Sequence, residues 1–598
     1  MHSSALFLVA ASFLISIPAV SQTAPPLEQR RADLKTVFHE MWEDRLKHSP
    51  EFASSIGDKR YNAELSDHSV AAFNETLARD RAYLTHLGAI DATGFPTQDK
   101  LSYELAIRQL VEEQTGARFK PWQMPVNQFY GIHTDLPDLV QLLRFDSVKD
   151  YDDYIARLHA VPRAFNQVTT NMQLGLDDGR TPPRALMEKV LAQTKDIAGK
   201  KPEESAFALP LQKFPANIPS ADQTRIHDEI LTAIRSDVLP SYVRFGKFLE
   251  AQYIPKCRTD PGLWAIPGGD DYYAFRVKQS TTTNMTPEEV HDLGLKQVAE
   301  IEPQLLAVVH SLGFKDLASF HEALLTNPKE HAQNDDQLLA LYKHYADQMQ
   351  AKLPTLFTKL PKTPLEVVPM PGYSSADQVP ADYQQGTADG SRPGWIRVNT
   401  SNANKRLLTQ VEAIAYHEGV PGHHLQISLA QEQTDLPEFR RYLDFTAYTE
   451  GWALYSERLG KEVGFYTDPY SEYGRLENEM WRAVRLVVDT GVHYKHWTRQ
   501  QMVDYFHAHT AMDEINVQTE VDRYIAWPGQ ALGYKIGQLK ILELRERARQ
   551  QLGPQFDIRR FHDLVVEGGA LPMDVLEERV NQWIAEQKNT AQSATTKQ

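Results

Sequence analysis

The chain has 598 residues and a formal net charge of −16, with 42% hydrophobic and 24% charged residues. This composition excludes the disordered and fibrous classes, and the length exceeds what one hydrophobic core usually organises, so we expect subdomains or a large helical array. The acidic balance, without a basic cluster, excludes a nucleic-acid-binding surface.

The N-terminus carries an apolar run over residues 5–20. This run is too short and too early for a membrane span, and small residues at Ala19 to Ser21 suit a signal peptidase. We predict a signal peptide over residues 1–21, with an uncleaved anchor as the alternative because no Lys or Arg precedes the run. No later stretch predicts a membrane span, so the mature chain is expected in the periplasm or secreted, without a stable membrane anchor.

Cys257 is the only cysteine of the chain. A single cysteine excludes an intrachain disulfide and any metal site built on several thiolates. We expect Cys257 to be a small packed residue, and the exported protein to depend on its hydrophobic cores for stability.

Most segments predict helix. Apolar residues recur at helical spacing over 34–46, 290–312 and 337–353, and residues 539–552 predict a charged amphipathic helix. Thr286-Pro287-Glu288-Glu289 is typical of a capped helix start. The pattern predicts a mostly α architecture.

Two short β-rich runs, residues 366–370 and 395–400, follow these helices. The first run lies within a segment rich in Pro, Gly and Ser, residues 354–394, and the second follows that segment. Together the two runs predict a small sheet. If a catalytic site lies beside this sheet, an edge strand can bind an extended peptide, with Arg397 and Asn399 as candidate substrate-binding residues. An ordinary hairpin is an equally good interpretation.

The stretch with the most catalytic potential is Tyr416-His417-Glu418-Gly419-Val420-Pro421-Gly422-His423-His424-Leu425-Gln426. Catalytic zinc commonly has about three protein ligands and an open position for water, and a nearby Glu can take the proton of that water. Thr409 to Glu412 has the pattern of a capping box, so we predict a helix from near Gln410 that carries His417 and Glu418.

The spacing of the histidines departs from the familiar pair four residues apart. His417 and His423 are separated by about 9 Å of rise in a regular helix, so they would not meet. Pro421 and Gly422 predict a break that swings His423 or His424 back toward His417. We favour His423 because it needs the smaller displacement; that the two histidines never meet is the alternative.

Glu450 supplies the third candidate ligand. It lies in Thr449-Glu450-Gly451-Trp452-Ala453, a predicted helix with small residues where another helix can approach. A carboxylate in such a buried position is costly unless it is paired or bound to a metal. Glu457, two turns later, is interpreted as a group that supports a ligand or lies at the surface.

The segment His-Glu-x-x-Pro-Gly-His-His-x-Gln resembles the signature of the bacterial DUF885 family, which is zincin-like. The resemblance covers most of the mature chain and includes residues 389–394, 449–453, 489–493 and 528–532. The Glu450 segment is also similar to the third-ligand helix of gluzincin aminopeptidases. The resemblance implies a large, mostly helical, zincin-like fold that encloses a channel or cleft, with a small β-sheet beside the metal site.

Several downstream residues are candidates for stabilising an oxyanion. His493 follows Asp489, which can orient it on a helix. Arg523 with Tyr524 resembles an Arg-Tyr pair of peptidyl-dipeptidases, and Tyr534 is a rival to Tyr524. Arg523 can hold a substrate carboxylate or a structural ion pair, and each tyrosine can equally serve the core.

The sequence therefore predicts an exported zinc metallopeptidase, with one zinc ion per chain, acting on short peptides. His417, His423 and Glu450 bind the metal, and Glu418 is the general base. Hydrolysis of a non-peptide amide or ester, and a non-catalytic metal-containing binding protein, are the alternatives. The predicted regions are a signal peptide (1–21), an N-terminal helical region (22–353), a loop-rich connector (354–394), a catalytic region (395–585) and a disordered tail (586–598).

Overall fold

The computed structural model describes residues 25–370 and 379–595. The predicted signal peptide lies outside this range. The described chain is mostly α-helical with one small sheet, which confirms the predicted fold class. None of its helices is long and apolar enough to cross a membrane.

The part of the chain before the sheet is helical, as the periodicity predicts. Its helices are α1 (Leu27–His48), α2 (Pro50–Ser55), α3 (Val70–Gly88), α4 (Thr97–Gly116), α5 (Ile132–Leu142), α6 (Val148–Asp177), α7 (Arg184–Ala198), α8 (Ser220–Ala233), α9 (Leu239–Phe248), α10 (Gly269–Thr281), α11 (Pro287–Ser311), α12 (Leu317–Thr326), α13 (Asp335–Gln350) and α14 (Leu353–Leu356). The predicted cap of α11 is confirmed, because the Thr286 side chain accepts from the Glu289 N–H and the Glu289 carboxylate accepts from the Thr286 N–H.

The sheet has three strands: β1 (Leu365–Pro369), β2 (Ala381–Gln384) and β3 (Gly394–Val398). The two predicted strands, β1 and β3, do pair, and they run parallel. The strand β2 was not predicted; it pairs antiparallel with β3 and forms an edge of the sheet. The predicted loop-rich connector thus contains two strands of the sheet.

Helices follow the sheet to the end of the described chain. They are α15 (Val411–Glu418), α16 (His423–Gln431), α17 (Glu438–Arg441), α18 (Thr446–Glu462), α19 (Pro469–His493), α20 (Arg499–His509), α21 (Glu514–Ala526), α22 (Leu532–Leu552), α23 (Ile558–Val566) and α24 (Met573–Thr595). The last helix covers most of the segment that we expected to be a disordered tail. The predicted capping box at Thr409 is wrong: the cap residue of α15 is Gln410, and no side chain caps it.

Several hydrophobic cores, rather than one, hold the molecule together. One lies among α5 to α9, a second surrounds α18, α22 and α24, and a third joins α11 to α19. From Tyr473 onward α19 is buried at nearly every residue, as expected for a helix in the middle of a large protein. Cys257 is buried in the first core, and burial raises the pKa of its thiol to about 12, so it is a packed residue as predicted.

Candidate metal centre

A tight loop between α15 and α16 brings the two halves of the histidine motif together. Helix α15 ends at Glu418, and α16 begins at His423 with Gly422 as its cap. A Cβ on Gly422 would lie 1.9 Å from the carbonyl oxygen of His417, so only glycine allows this approach. The break predicted from Pro421 and Gly422 is therefore present.

His417, His423 and Glu450 form one cluster of potential metal ligands. Their ligand atoms all lie within 4.8 Å of one another. Glu450 Oε2 is 3.5 Å from His417 Nε2 and 3.3 Å from His423 Nε2. Burial alone would raise the pKa of Glu450, but the two imidazoles that face it hold that pKa well below its ordinary value. The structure thus brings together the three ligands predicted from sequence.

His424 points away from this cluster. Its Nε2 donates to the Thr363 carbonyl oxygen (3.1 Å), and its Nδ1 lies 3.0 Å from the Tyr383 hydroxyl. Both ring nitrogens therefore have partners in the sheet region. Burial lowers the pKa of His424 to about 4, so the ring is neutral and holds α16 against the sheet.

Glu457 supports His417 from behind. Its Oε1 accepts from His417 Nδ1 at 2.8 Å, which leaves the Nε2 lone pair of His417 directed at the cluster. Arg482 Nη2 is 3.5 Å from the same carboxylate oxygen. A carboxylate that accepts from a ligand histidine fixes its tautomer and raises its basicity. Of the two roles considered for Glu457, the buried supporting one is observed.

Replacing Glu457 with Ala should weaken zinc binding by about 10- to 100-fold, because His417 loses the partner that orients it. A competition titration against a chromophoric chelator measures this change. Glu477→Ala is the matched control, since Glu477 is also buried but accepts from the Ala511 N–H away from the cluster. Equal zinc affinity in wild type and Glu457→Ala would show that this contact does not tune the site.

Two helices cross closely enough to set Tyr534 beside the cluster. A Cβ on Gly451 of α18 would lie 2.5 Å from the Cα of Gly537 in α22, so the backbones touch. One turn before Gly537, Tyr534 stacks on the His417 ring with centroids 6.1 Å apart. Its hydroxyl oxygen accepts from Arg523 Nη2 at 2.9 Å. Burial raises the pKa of Tyr534, so its hydroxyl stays protonated.

Glu418 faces a cavity of about 380 Å³ that also contains the cluster. Burial raises the pKa of Glu418 to about 8; nearby His423 lowers it, whereas Glu450 raises it. Glu418 is not among the residues whose ligand atoms lie within 4.8 Å of one another, so it is a neighbour of the metal cluster and not one of its ligands. A carboxylate of this kind can exchange a proton near neutral pH, which general acid–base chemistry requires.

The donor set fits a zinc ion. Two imidazole nitrogens and one carboxylate oxygen are the ligands of several catalytic zinc sites, and they leave a coordination position open. Glu450 Oε2 is buried with no hydrogen-bond partner among the described residues, which is costly for a carboxylate that nothing binds. A larger cavity of about 620 Å³ near Trp122 and Arg163 contains no comparable cluster within the described range.

Tyr524 does not face the cavity, contrary to the prediction that it stabilises an oxyanion. Its hydroxyl donates to Glu520 and accepts from Trp481 Nε1 (3.0 Å) and Arg485 Nε (2.9 Å). The residue is fully buried between α21 and α19. Tyr524 therefore holds helices together, and Tyr534 is the tyrosine beside the cluster.

His493 also makes structural hydrogen bonds, and the structure does not bring this predicted catalytic residue to the cavity. Its Nε2 donates to the Tyr524 carbonyl oxygen and its Nδ1 accepts from the Leu263 N–H, each at 2.9 Å. Asp489 does not orient it, because that carboxylate instead accepts from the Tyr273 hydroxyl and the Gly529 N–H. His493 joins the end of α19 to two other segments.

The buried ring of His493 should make stability fall in acid. Burial lowers its pKa to about 3, whereas the unfolded chain binds the proton below about 6.5, so the stability it contributes is lost as pH falls below 6.5. We expect the difference in unfolding free energy between wild type and His493→Ala to shrink by about 2 kcal/mol from pH 7.5 to pH 5. Urea unfolding at both pH values measures it. A difference that stays constant would contradict a neutral buried ring.

The three predicted substrate-binding residues have different positions. Arg523 lines the cavity. Arg397 does not; it forms a bidentate ion pair with Asp382 at 2.7 and 2.8 Å, across the strands β3 and β2. Asn399 is fully buried, and its side chain donates to the Val379 carbonyl oxygen and accepts from the Ser401 N–H. Arg397 and Asn399 thus hold the edge strand in place.

Sequence reasoning missed several cavity residues. The cavity residues that were not selected from the sequence include Phe129, Asp382, Tyr383, Trp481, Arg482 and Arg485. The two arginines lie on α19, one turn apart on its cavity face. The charges of Arg482 and Arg485 within a run of apolar residues were the available signal, because buried arginines are rare unless they are paired.

Comparison with known proteins places the chain among bacterial relatives. The sequence profile of the family described as "Bacterial protein of unknown function (DUF885)" matches residues 50–580. A crystal structure of a "putative lipoprotein" from Colwellia psychrerythraea is 28% identical, with a TM-score of 0.88, over 93% of this chain and 100% of that chain.

A second solved structure, a "putative lipoprotein of unknown function" from Shewanella oneidensis, is 16% identical, with a TM-score of 0.69, over 92% of this chain and 99% of that one. At that identity the likeness shows the fold alone. No functionally curated protein matches the chain. The comparisons thus assign a family and a fold, and any activity has to be argued from the site.

Proposed function

This chain belongs to the DUF885 family of bacterial proteins of unknown function, and we propose that it is an exported zinc-dependent metallopeptidase that hydrolyses short peptides. The observation that carries the proposal is the cluster of His417, His423 and Glu450, with Glu418 beside it in the same cavity. A purely structural zinc site is closed by protein ligands and has no use for an additional acidic group. His417, His423 and Glu450 would hold zinc with fewer protein ligands than a structural site has, and together with Glu418 beside them this favours catalysis over a binding role.

The residues of the site have distinct parts in the proposed reaction. The contribution expected of zinc is Lewis acidity, which makes water acidic enough to be deprotonated near neutral pH. Glu418 takes the proton of the attacking water and delivers it to the leaving amine. Tyr534 donates its hydroxyl hydrogen to the carbonyl oxygen that becomes negatively charged. Glu457 keeps His417 in the required tautomer.

The edge strand β2 supports a peptide as the substrate. Residues 379–383 line the cavity, and β2 is an edge strand of the three-stranded sheet among the described residues. An extended peptide can pair with such an edge through its main chain, which binds peptides of varied sequence. The cavity volume of about 380 Å³ suits a few residues rather than a folded protein.

Export is proposed on two grounds. The chain begins with an apolar segment typical of a signal peptide. The similar protein from Colwellia psychrerythraea is named as a "putative lipoprotein", which is a class of exported protein. Fractionation of the native host, with N-terminal sequencing of the mature chain, tests cleavage before Gln22.

The experiment that tests the activity is a digest of a mixed peptide library by the purified mature protein. We expect cleavage by the zinc-loaded protein, loss of cleavage after chelation, and recovery after addition of one equivalent of zinc. Mass spectrometry identifies the products. No cleavage of any peptide by protein that has bound zinc would contradict the proposal.

A non-peptide amide or ester remains the second candidate, because the same chemistry cleaves both and nothing in the metal cluster selects a peptide. The position of the edge strand β2 in the cavity wall favours the peptide. A panel of small aryl amides and esters, run beside the peptide library, separates the two: zinc-dependent turnover of the panel alone would favour the second candidate.

A further inference from the structure

Three arginines form part of the cavity wall beside the metal cluster. Arg482, Arg485 and Arg523 are 4%, 1% and 7% exposed, respectively, and all three line the cavity. Long cationic side chains are almost never this buried unless opposite charges accompany them. The carboxylates near these three arginines therefore show whether their charges are balanced within the protein alone.

Within the part of the chain that the structure describes, fewer carboxylates than guanidinium groups take part in the ion pairs of these arginines. Glu520 is shared by Arg485 (2.9 Å) and Arg523 (3.4 Å). Glu457 is 3.5 Å from Arg482, but it already accepts from His417. Among the described residues, two carboxylates thus lie within 4.0 Å of the three guanidinium groups, and one of them, Glu457, is shared with His417.

Each of the three arginines also has a buried N–H group without a hydrogen-bond partner among the described residues. These are Nε of Arg482, Nη1 of Arg485 and Nε of Arg523. Six other arginines of the described chain also have an unpartnered buried N–H, but only these three line the cavity that contains the metal cluster. An N–H of a guanidinium group donates a charge-assisted hydrogen bond to a carboxylate.

Aromatic rings hold this wall rigid. Arg485 lies between the rings of Trp481 and Tyr534, with its Cζ 4.2 and 4.3 Å from the two centroids. Arg523 Nη2 donates to the Tyr534 hydroxyl and to the Gln530 side chain. Because these contacts restrict the side chains before any ligand arrives, little conformational entropy would be lost on binding.

The wall is close to the metal cluster. The Tyr534 ring contacts both, with its centroid 6.1 Å from the His417 ring and 4.3 Å from Arg485 Cζ. An extended peptide advances about 3.3 to 3.6 Å per residue. Arg485 is therefore no more than about three residues of a bound peptide away from the metal ligands, and Arg523 Cζ is 5.8 Å from the same Tyr534 centroid.

We propose that Arg485 and Arg523 bind a carboxylate of the substrate within about three residues of the bond that is cleaved. This inference rests on the proposed function for its substrate class, and it selects acidic peptides within that class. The carboxylate belongs either to the C-terminus of the peptide or to an Asp or Glu side chain, since both present the same group.

The test compares three kinds of peptide that differ in whether, and where, they carry a carboxylate. They are N-acetyl-tetraalanine with a free C-terminus, its C-terminal amide, and that amide with one alanine replaced by Glu at each position in turn. Isothermal titration calorimetry measures their binding to zinc-loaded Glu418→Gln protein, in which turnover is blocked. We expect the free acid or one of the Glu-containing amides to bind at least about 30-fold more tightly than the neutral amide.

Variants connect the preference to the arginines. Arg485→Met and Arg523→Met should each reduce the difference in affinity between the preferred acidic peptide and the neutral amide to less than about threefold. Arg440→Met is the matched control, because Arg440 is buried, donates to Ser102 Oγ and lies outside the cavity wall. If the variants do not fold, the comparison of peptides on protein that retains all three arginines still tests the inference. Binding of all peptides within about threefold would overturn the inference.

The two proposals fail in different ways. A carboxylate preference in binding, with no hydrolysis by the wild-type protein, would refute the peptidase and leave the anion site standing. Zinc-dependent hydrolysis of the free acid, the neutral amide and every Glu-containing amide at equal rates would support the peptidase and refute the anion site.

Discussion

Glu418→Gln is expected to lower kcat for peptide hydrolysis by about 100- to 10,000-fold while the zinc content stays at that of the wild type. Glu418 lies in the cavity beside the cluster, so the change removes the group that would accept the proton of the attacking water. The amide has nearly the same shape, and no described residue depends on Glu418 as an ion-pair partner within 4.0 Å. Steady-state kinetics and metal analysis on the same preparation measure both quantities.

Glu412→Gln is the control for this variant. Glu412 lies on the same helix and is buried, but its carboxylate accepts from the Tyr416 hydroxyl (2.8 Å) away from the cavity. We expect its kcat to remain within a few-fold of the wild type. Equal activity of Glu418→Gln and wild type would refute the general-base role, and equal loss in both variants would point to a structural effect of helix α15.

His423→Ala is expected to abolish stoichiometric zinc binding, whereas His424→Ala is expected to retain it. The two histidines are neighbours in sequence and both are buried, so the pair is its own matched control. His423 Nε2 faces Glu450, whereas His424 is fully engaged with Thr363 and Tyr383. Loss of one of three ligands should cost more than the 10- to 100-fold typical of a supporting residue.

His424→Ala should instead reduce stability. It leaves the Thr363 carbonyl oxygen without its buried donor, which costs about 1 to 3 kcal/mol. Metal analysis after dialysis, together with urea unfolding, distinguishes the two effects. Zinc lost only in His424→Ala would overturn the ligand assignment, and no zinc in the wild type after reconstitution would refute the metal site.

Much of the site was predictable because metal ligation demands particular side chains. His417, His423 and Glu450 were selected from residue chemistry and from family resemblance, and the structure gathers them within 4.8 Å. The break between α15 and α16 was also predictable, since Pro421 and Gly422 do not continue a helix. Where a residue type has few alternative roles, its pattern is informative.

Predictions for residues with many possible roles were less reliable. His493 and Tyr524 carry groups that serve catalysis or packing equally well, and in this fold their hydrogen bonds are taken by Leu263 and Glu520. Their positions on α19 and α21 did not reveal which side of each helix faces the cavity. The strand β2 was missed because Ala381–Gln384 is short and lies between turn-forming segments, so it is a strand only through its pairing with β3.

By itself, the sequence determined the mostly helical fold class, the capped start of α11, the break between α15 and α16 and a short set of candidate metal ligands, because these depend on local backbone preferences and side-chain chemistry. The tertiary structure decided which histidine of the pair faces Glu450, which tyrosine lies beside the cluster and which arginines line the cavity. These outcomes depend on how α18, α19 and α22 pack, and a helix approaches another only where residues distant in sequence, such as Gly451 and Gly537, leave room for it.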